Sequence, residues 1–284
     1  MPVQFSRVVA ARQTSSGASF SVRSIDLREL GHLASPLVVV DDFRARGRPF
    51  GPHPHAGFSA VTYVFEDSAG ALRSRDSLGH DYVVGPGGVV WTQAGSGVIH
   101  EEIPAQAGRE LHGLQLFVNL SSRNKLTTPR VTGLASSDVP EWRSYGRDRV
   151  RVVAGSFGGL SSPLAPAEPF DLLDVELRRE MSFDLPDAHN ALIYVLIGDI
   201  VVSVDGREQT MMGGLAVALH GSGGGRVTFK ASRPSHFLIL CGAEIREPIV
   251  VQGPFIMNDK SQVEAAAARY SSGAMGHLSP LEET

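Results

Sequence analysis

One cysteine, Cys241, stands in the 284-residue sequence. No disulfide can therefore close within the chain, and a reducing compartment is the expectation. Neither sign of charge is in large surplus: 26 Lys and Arg face 30 Asp and Glu, a formal net charge of −4. That balance gives no global pull toward nucleic acid or anionic lipid. No run approaches the ~18 apolar residues of a membrane helix. The opening residues, Met1-Pro-Val-Gln-Phe-Ser-Arg7, lack the apolar core of a secretion signal, so a cytoplasmic location is expected. Fingerprints of common enzyme classes are missing as well. There is no Gly-x-Ser-x-Gly elbow. The glycines of 221–225 fit neither a P-loop nor a dinucleotide site and read as a flexible hairpin.

What the chain does hold is a series of short apolar stretches cut by Gly, Pro, Asp and Asn. Expected strands in the first half are 20–26, 37–43, 60–65, 81–84, 88–93, 97–103 and 111–118. In the second half they are 150–155, 172–177, 192–197, 199–204, 215–218, 226–229 and 235–241. Strands recurring every ~8–12 residues between turn signals predict an all-β sandwich or barrel. The one helix expected is Asp259–Tyr270, with Asn258 as N-cap and Gly273 as terminator. The halves carry a faint repeat. Ala60-Val-Thr-Tyr63-Val resembles Ala191-Leu-Ile-Tyr194-Val, and Gly87-Gly88 and Gly213-Gly214 each lead into an apolar strand. Two copies of one barrel would account for this.

Two spacings carry chemistry. His53-Pro54-His55 and His100-Glu101-Glu102 each place potential ligands two residues apart. On a strand such residues point to one face. The two pairs brought together give three imidazoles and one carboxylate, a donor set suited to a transition metal rather than Ca²⁺ or Mg²⁺. Strand alternation turns Glu101 away, toward solvent or the other domain, and leaves His53, His55, His100 and Glu102 as the metal ligands. Affinity order favours Cu(II) or Ni(II), whereas availability in a reducing cytosol favours Fe(II). Mn and Co also fit. The second half has only His189 near the corresponding place, so one metal site is expected. His32, His80, His112, His189, His220, His236 and His277 lack a partner at ligand spacing and are expected to be structural or solvated. Asp41-Asp42 reads as a strand-end turn.

With these residues in view, the chain resembles the pirin family of the cupin superfamily. The matching segments include His53-Pro-His55-Ala-Gly57-Phe58, Arg75-Asp76-Ser77-Leu78-Gly79, Ala94-Gly95-x-Gly97-Val-Ile-His100-x-Glu102-x-Pro104, His112-Gly113-Leu-Gln115 and Gly253-Pro254-Phe255. The resemblance implies a bicupin: two face-to-face antiparallel β-barrels with a short C-terminal helix and one metal in the N-terminal barrel. It divides the chain into an N-terminal cupin domain (1–130) with the metal site, a linker and first strand region (131–170), and a metal-free C-terminal cupin domain (171–284). It gives His53, His55, His100 and Glu102 the ligand role. It also implies a quercetin 2,3-dioxygenase type of activity, cleaving a flavonol heterocycle with dioxygen and releasing carbon monoxide, with Glu102 as the catalytic proton acceptor. The alternative it offers is a metal-dependent, redox-sensing regulator or transcriptional cofactor with a protein partner. Neither reading calls for direct nucleic-acid or membrane binding. Ala56, Ser59 and Ser96 replace residues that are charged in the family, and are expected at the barrel mouth. Phe58, Tyr63, Trp91 and Phe117 are candidate walls for a planar aromatic substrate.

Overall fold

Antiparallel pairing joins nearly every strand in a computed structural model that describes residues 3–17 and 19–281. Two compact units form. In the unit holding the histidine pairs, a seven-stranded sheet runs Arg130–Leu134, Val89–Gln93, Phe58–Val64, Leu111–Asn119, Leu37–Ala45, Phe20–Ser24, Arg12–Ser16. A four-stranded sheet runs His53–His55, Val98–Pro104, Leu72–Asp76, Asp81–Val84. The other unit repeats this plan. Leu215–His220, His189–Ile197, Ser235–Ala243 and Phe170–Leu177 follow the order of Val89–Gln93, Phe58–Val64, Leu111–Asn119 and Leu37–Ala45. A four-stranded sheet of Glu180–Leu185, Gly225–Ala231, Asp199–Val204 and Arg207–Met212 accompanies it. Phe58–Val64 and His189–Ile197 thus occupy equivalent places, and the faint sequence repeat is a structural one. The chain is an all-β bicupin.

The two interiors differ. Strand Gly225–Ala231 stands where Val98–Pro104 carries the second ligand pair, and it buries Val227 and Phe229 instead. With Phe183, Ile193, Met211, Val217 and Phe237 they form a continuous apolar core. Cys241 is buried in the same cluster, and burial holds its thiol well above the usual range.

The compact units do not follow the linear division. Residues 245–281 pack with the first barrel rather than the second, and residues 3–12 and 25–36 pack with the second. Strand Arg130–Leu134, counted within the linker, instead pairs with Val89–Gln93. The C-terminal helix is Lys260–Ser271, capped by Asp259 rather than Asn258: the Asp259 carboxylate accepts from the Gln262 backbone N–H. The Asn258 side chain instead donates to Glu247 and to the Pro248 carbonyl. A 3₁₀ segment, Leu27–Ala34, interrupted at Gly31, was not legible in the sequence.

Residues 245–281 matter to the site because they press on the strand that carries the first two histidines. Ala56 bridges to Phe255. At Gly57 a Cβ would lie 2.0 Å from the Ile256 carbonyl oxygen, and φ is +85°, a combination that only glycine accepts. Lys125, 1% exposed, locks this contact. Its ammonium donates to the Gly57 carbonyl (2.9 Å), the Ile256 carbonyl (3.0 Å) and Asn119 Oδ1 (2.6 Å).

Candidate metal centre

Strand register brings the histidines together. His53 lies directly across from His100, and His55 across from Val98. Alternation then sends His53, His55 and His100 to one face, while Pro54 and Ile99 face away. One ligand atom from each imidazole lies within 4.8 Å of the others, and the ring centroids are 4.7–4.8 Å apart. His53 Nδ1 pairs with the Gly51 carbonyl at 2.9 Å. Donation there leaves Nε2 as its ligand atom. Burial, reinforced by the neighbouring imidazoles, drives His100 well below the usual histidine range and His55 down to about 3. Both are therefore neutral donors at physiological pH. His100 Nδ1 is buried and has no hydrogen-bond partner among the described residues, whereas the Pro254 backbone stands beside the His55 ring. Convergent, neutral imidazoles, with the His100 Nδ1 left unpartnered, fit a divalent transition ion and would be costly as a plain core.

Glu102 lines the same cavity as the histidines but stands outside the three-imidazole cluster. Its Oε2 lies 2.6 Å from Thr62 Oγ1, which in turn is 3.1 Å from Gln115 Oε1. Gln115 Nε2 donates to the Val61 carbonyl at 3.1 Å. A single Thr62 proton serves only one of its two acceptors. Burial raises the Glu102 carboxyl to about 7, against the opposing pull of the Thr62 and Ser74 hydroxyls.

The other acidic candidates depart from expectation. Glu101 does point away from the histidines, but it is only 3% exposed. It accepts from Arg75 Nη2 at 2.6 Å, and the same nitrogen donates to the Ser279 carbonyl at 2.9 Å. Its cover comes from a strand 26 residues earlier and a segment near the chain end. Asp41 and Asp42 lie inside strand Leu37–Ala45, within the expected strand 37–43, rather than in a turn at its end. Asp41 faces the cavity. Asp42 faces the other way and meets His112 Nε2 at 3.0 Å, while His112 Nδ1 meets Asp67 at 2.6 Å. His80 and His236 likewise pair with Asp76 and Asp174.

A cavity of about 400 Å³ opens over the histidines. Its walls are Phe20, Phe43, Phe117, Leu72 and Leu111, with Phe50 at the rim, 56% exposed. Of the four aromatic residues proposed from sequence, only Phe117 lines it. Phe58 backs the site, its ring 5.0 Å from His55 and 4.5 Å from Phe117, while Tyr63 and Trp91 are core. Ala56 and Ser59 are buried and Ser96 is half-buried. None of the three lines the cavity. Ala56 packs on Phe255 and Met257, and Ser96 accepts from Arg269 through its carbonyl. All three therefore lie away from the cavity rather than at its mouth. Thr62 and Gln115 were not singled out in the sequence, because polar groups at single strand positions carry no spacing signal, and Asp41 was read only as part of a turn.

A two-barrel cupin with three convergent imidazoles in one barrel defines the class of protein. The Pirin family matches residues 7–118, and the Pirin C-terminal cupin domain matches residues 172–276. Pirin of Homo sapiens is 32% identical over 273 residues, covering 94% of this chain and 92% of that protein. The Pirin-like protein of Solanum lycopersicum is 34% identical over 273 residues, covering 95% and 91%. The crystal structure of quercetin 2,3-dioxygenase from Acinetobacter baumannii matches with a TM-score of 0.84 at 27% identity, covering 97% of this chain and 99% of that one. The chain belongs to the pirin family.

Proposed function

We propose that the protein is a metal-dependent dioxygenase of the quercetin 2,3-dioxygenase type, acting on a flavonol or a similar planar phenol. One observation carries this reading: the three imidazoles and the Glu102 carboxyl open into one apolar cavity of about 400 Å³. That size falls within the roughly 300–1,000 Å³ usual for small-molecule sites. A divalent transition ion, with Fe(II) the favoured occupant, would be held by His53, His55, His100 and Glu102, and would supply Lewis acidity that acidifies a bound hydroxyl.

The chain's own residues do the rest. Glu102 accepts the hydroxyl proton, and a carboxyl raised to about 7 can both take and return one near neutral pH. Thr62 orients it from 2.6 Å, with Gln115 behind. Phe20, Phe43 and Phe117 hold the ring plane and keep water from the opened heterocycle. Among the described residues no Lys or Arg lines the cavity, whereas two carboxyl groups do. Beyond the ion itself, an organic acid or phosphorylated sugar would find no side-chain counter-charge there, which favours a neutral phenol.

The test is aerobic turnover of quercetin, with carbon monoxide as product, by protein loaded in turn with Fe, Mn, Ni, Co and Cu. Turnover with at least one metal, lost in Glu102→Ala, is expected. Inactivity with all five, together with a protein partner bound in only one oxidation state of the metal, would move support to the regulator.

A further inference from the structure

The inward-facing residues of the seven-stranded sheet form ranks fixed by strand register. One rank is polar from end to end: Ser24 pairs with Asp41, Asp41 with Gln115, and Gln115 with Thr62. Thr62 passes the row on to Glu102 of the facing sheet. At the other end Ser24 Oγ lies 2.8 Å from Thr14 Oγ1 at the cavity edge. The ranks on either side are apolar. One is Val22, Phe43, Gly113 and Val64, and the other is Val39, Phe117 and Ala60. A polar band thus crosses an otherwise greasy wall.

Glu102 and Thr62 at one end of this band serve the chemistry proposed above. Asp41 does not. It sits two strands from Thr62, about 10 Å at ordinary strand spacing, too far to share a proton with the reacting hydroxyl. It is half-buried, lines the cavity and has no cation beside it among the lining residues. Burial raises its carboxyl, partly offset by the Ser24 hydroxyl. A carboxylate desolvated in this way is costly without a use. What it can do is accept a hydrogen bond from a ligand donor.

We propose that Asp41 is a specificity-determining anchor, accepting a hydrogen bond from a phenolic hydroxyl on the ligand ring remote from the imidazoles. This rests on the flavonol reading and deepens it. Recognition of the 3-hydroxyl and 4-carbonyl is left to the imidazole end. Asp41 reads hydroxylation at the far end and favours polyhydroxylated ligands over bare ones.

The test compares quercetin with 3-hydroxyflavone, which keeps the reacting hydroxyl and carbonyl but lacks the others. Binding to Ni(II)-loaded protein is followed anaerobically by fluorescence. Wild type should bind quercetin about tenfold more tightly, the worth of one hydrogen bond to a charged group. Asp41→Ala should erase that advantage and Asp41→Asn should reduce it to about threefold, while 3-hydroxyflavone affinity stays within about twofold in both. The wild-type comparison alone needs no variant to fold. Equal wild-type affinities for the two ligands would overturn the anchor yet leave the flavonol site standing, as would equal losses for both in the variants. Failure of wild type to bind either ligand would overturn the flavonol reading, and the anchor with it.

Discussion

Nickel affinity measured against pH reports whether Glu102 is a ligand or only a neighbour. Burial raises its carboxyl to about 7, so a metal that takes the carboxylate below that pH must first displace a proton. His55 and His100 are held neutral by burial, the former down to about 3, and neither releases a proton near neutrality. One proton displaced from a group titrating at about 7 lowers apparent affinity about tenfold from about pH 8 to about pH 6, or about 1.4 kcal/mol. Glu102→Gln should lose that part of the slope. Calorimetric titration of Ni(II) into metal-free protein, repeated in buffers of different ionisation enthalpy, counts the protons directly. Glu102 should account for about 0.9 proton at pH 6 and about 0.1 at pH 8. The geometry makes this a real question, because Glu102 begins 2.6 Å from Thr62 and outside the imidazole cluster. Equal pH slopes and proton counts in wild type and Glu102→Gln would refute its ligation, leaving the three imidazoles alone.

Metal-free protein should weaken on acidification. His55 has a folded-state pKa below its unfolded value, so its contribution is complete above about 6.5 and is lost as pH falls toward 3. Between pH 7.5 and pH 5 the loss is about 2 kcal/mol, read as a urea-midpoint shift that His55→Asn should diminish. Lys125→Met should cost about 3 kcal/mol of stability by denaturant unfolding. It strands three buried acceptors of the Lys125 ammonium, and a loss under about 1 kcal/mol would mean that these acceptors find other donors. Gly57→Ala should lower Ni(II) affinity as well as stability, by at least about 2 kcal/mol in stability. Its new Cβ meets the Ile256 carbonyl two residues from His55, and unchanged nickel affinity would show that this contact does not position the ligand.

The imidazole cluster was legible because period two is the one regularity that strands impose, and both pairs of ligand candidates obey it. The walls were not. All seven residues of Phe58–Val64 are buried, so polarity alternation could not tell the inward face from the outward one. Tyr63 was therefore read as wall when Thr62 faces the cavity side. Adjacent acids at Asp41 and Asp42 read as a turn because isolated carboxylates disfavour a strand. The strand forms because each finds a separate use, Asp41 in the polar rank and Asp42 against His112. The burial of Glu101 was hidden for another reason: its cover, Ser279, is 178 positions away through Arg75, and no local pattern encodes so distant a contact.

The same separation between local and distant information explains how one barrel can carry an imidazole cluster while its copy does not. Both sheets share their strand order, so the scaffold does not choose. The choice is made at a few inward positions: His100 and Glu102 in Val98–Pro104 against Val227 and Phe229 in Gly225–Ala231. In the second barrel, Phe183, Phe229 and Phe237 help fill the interior. In the first, the polar rank from Ser24 to Thr62 resists such filling, since an apolar side chain pressed against it would desolvate Asp41 and leave its carboxyl only the Ser24 hydroxyl. The polar rank and the open cavity are therefore two sides of one arrangement. Filling the first barrel by replacing Asp41 and Gln115 with leucine should raise stability while closing the ligand space, an exchange readable as a higher unfolding midpoint alongside lost flavonol binding. A double variant that gained no stability would show that the rank is not what keeps the barrel open.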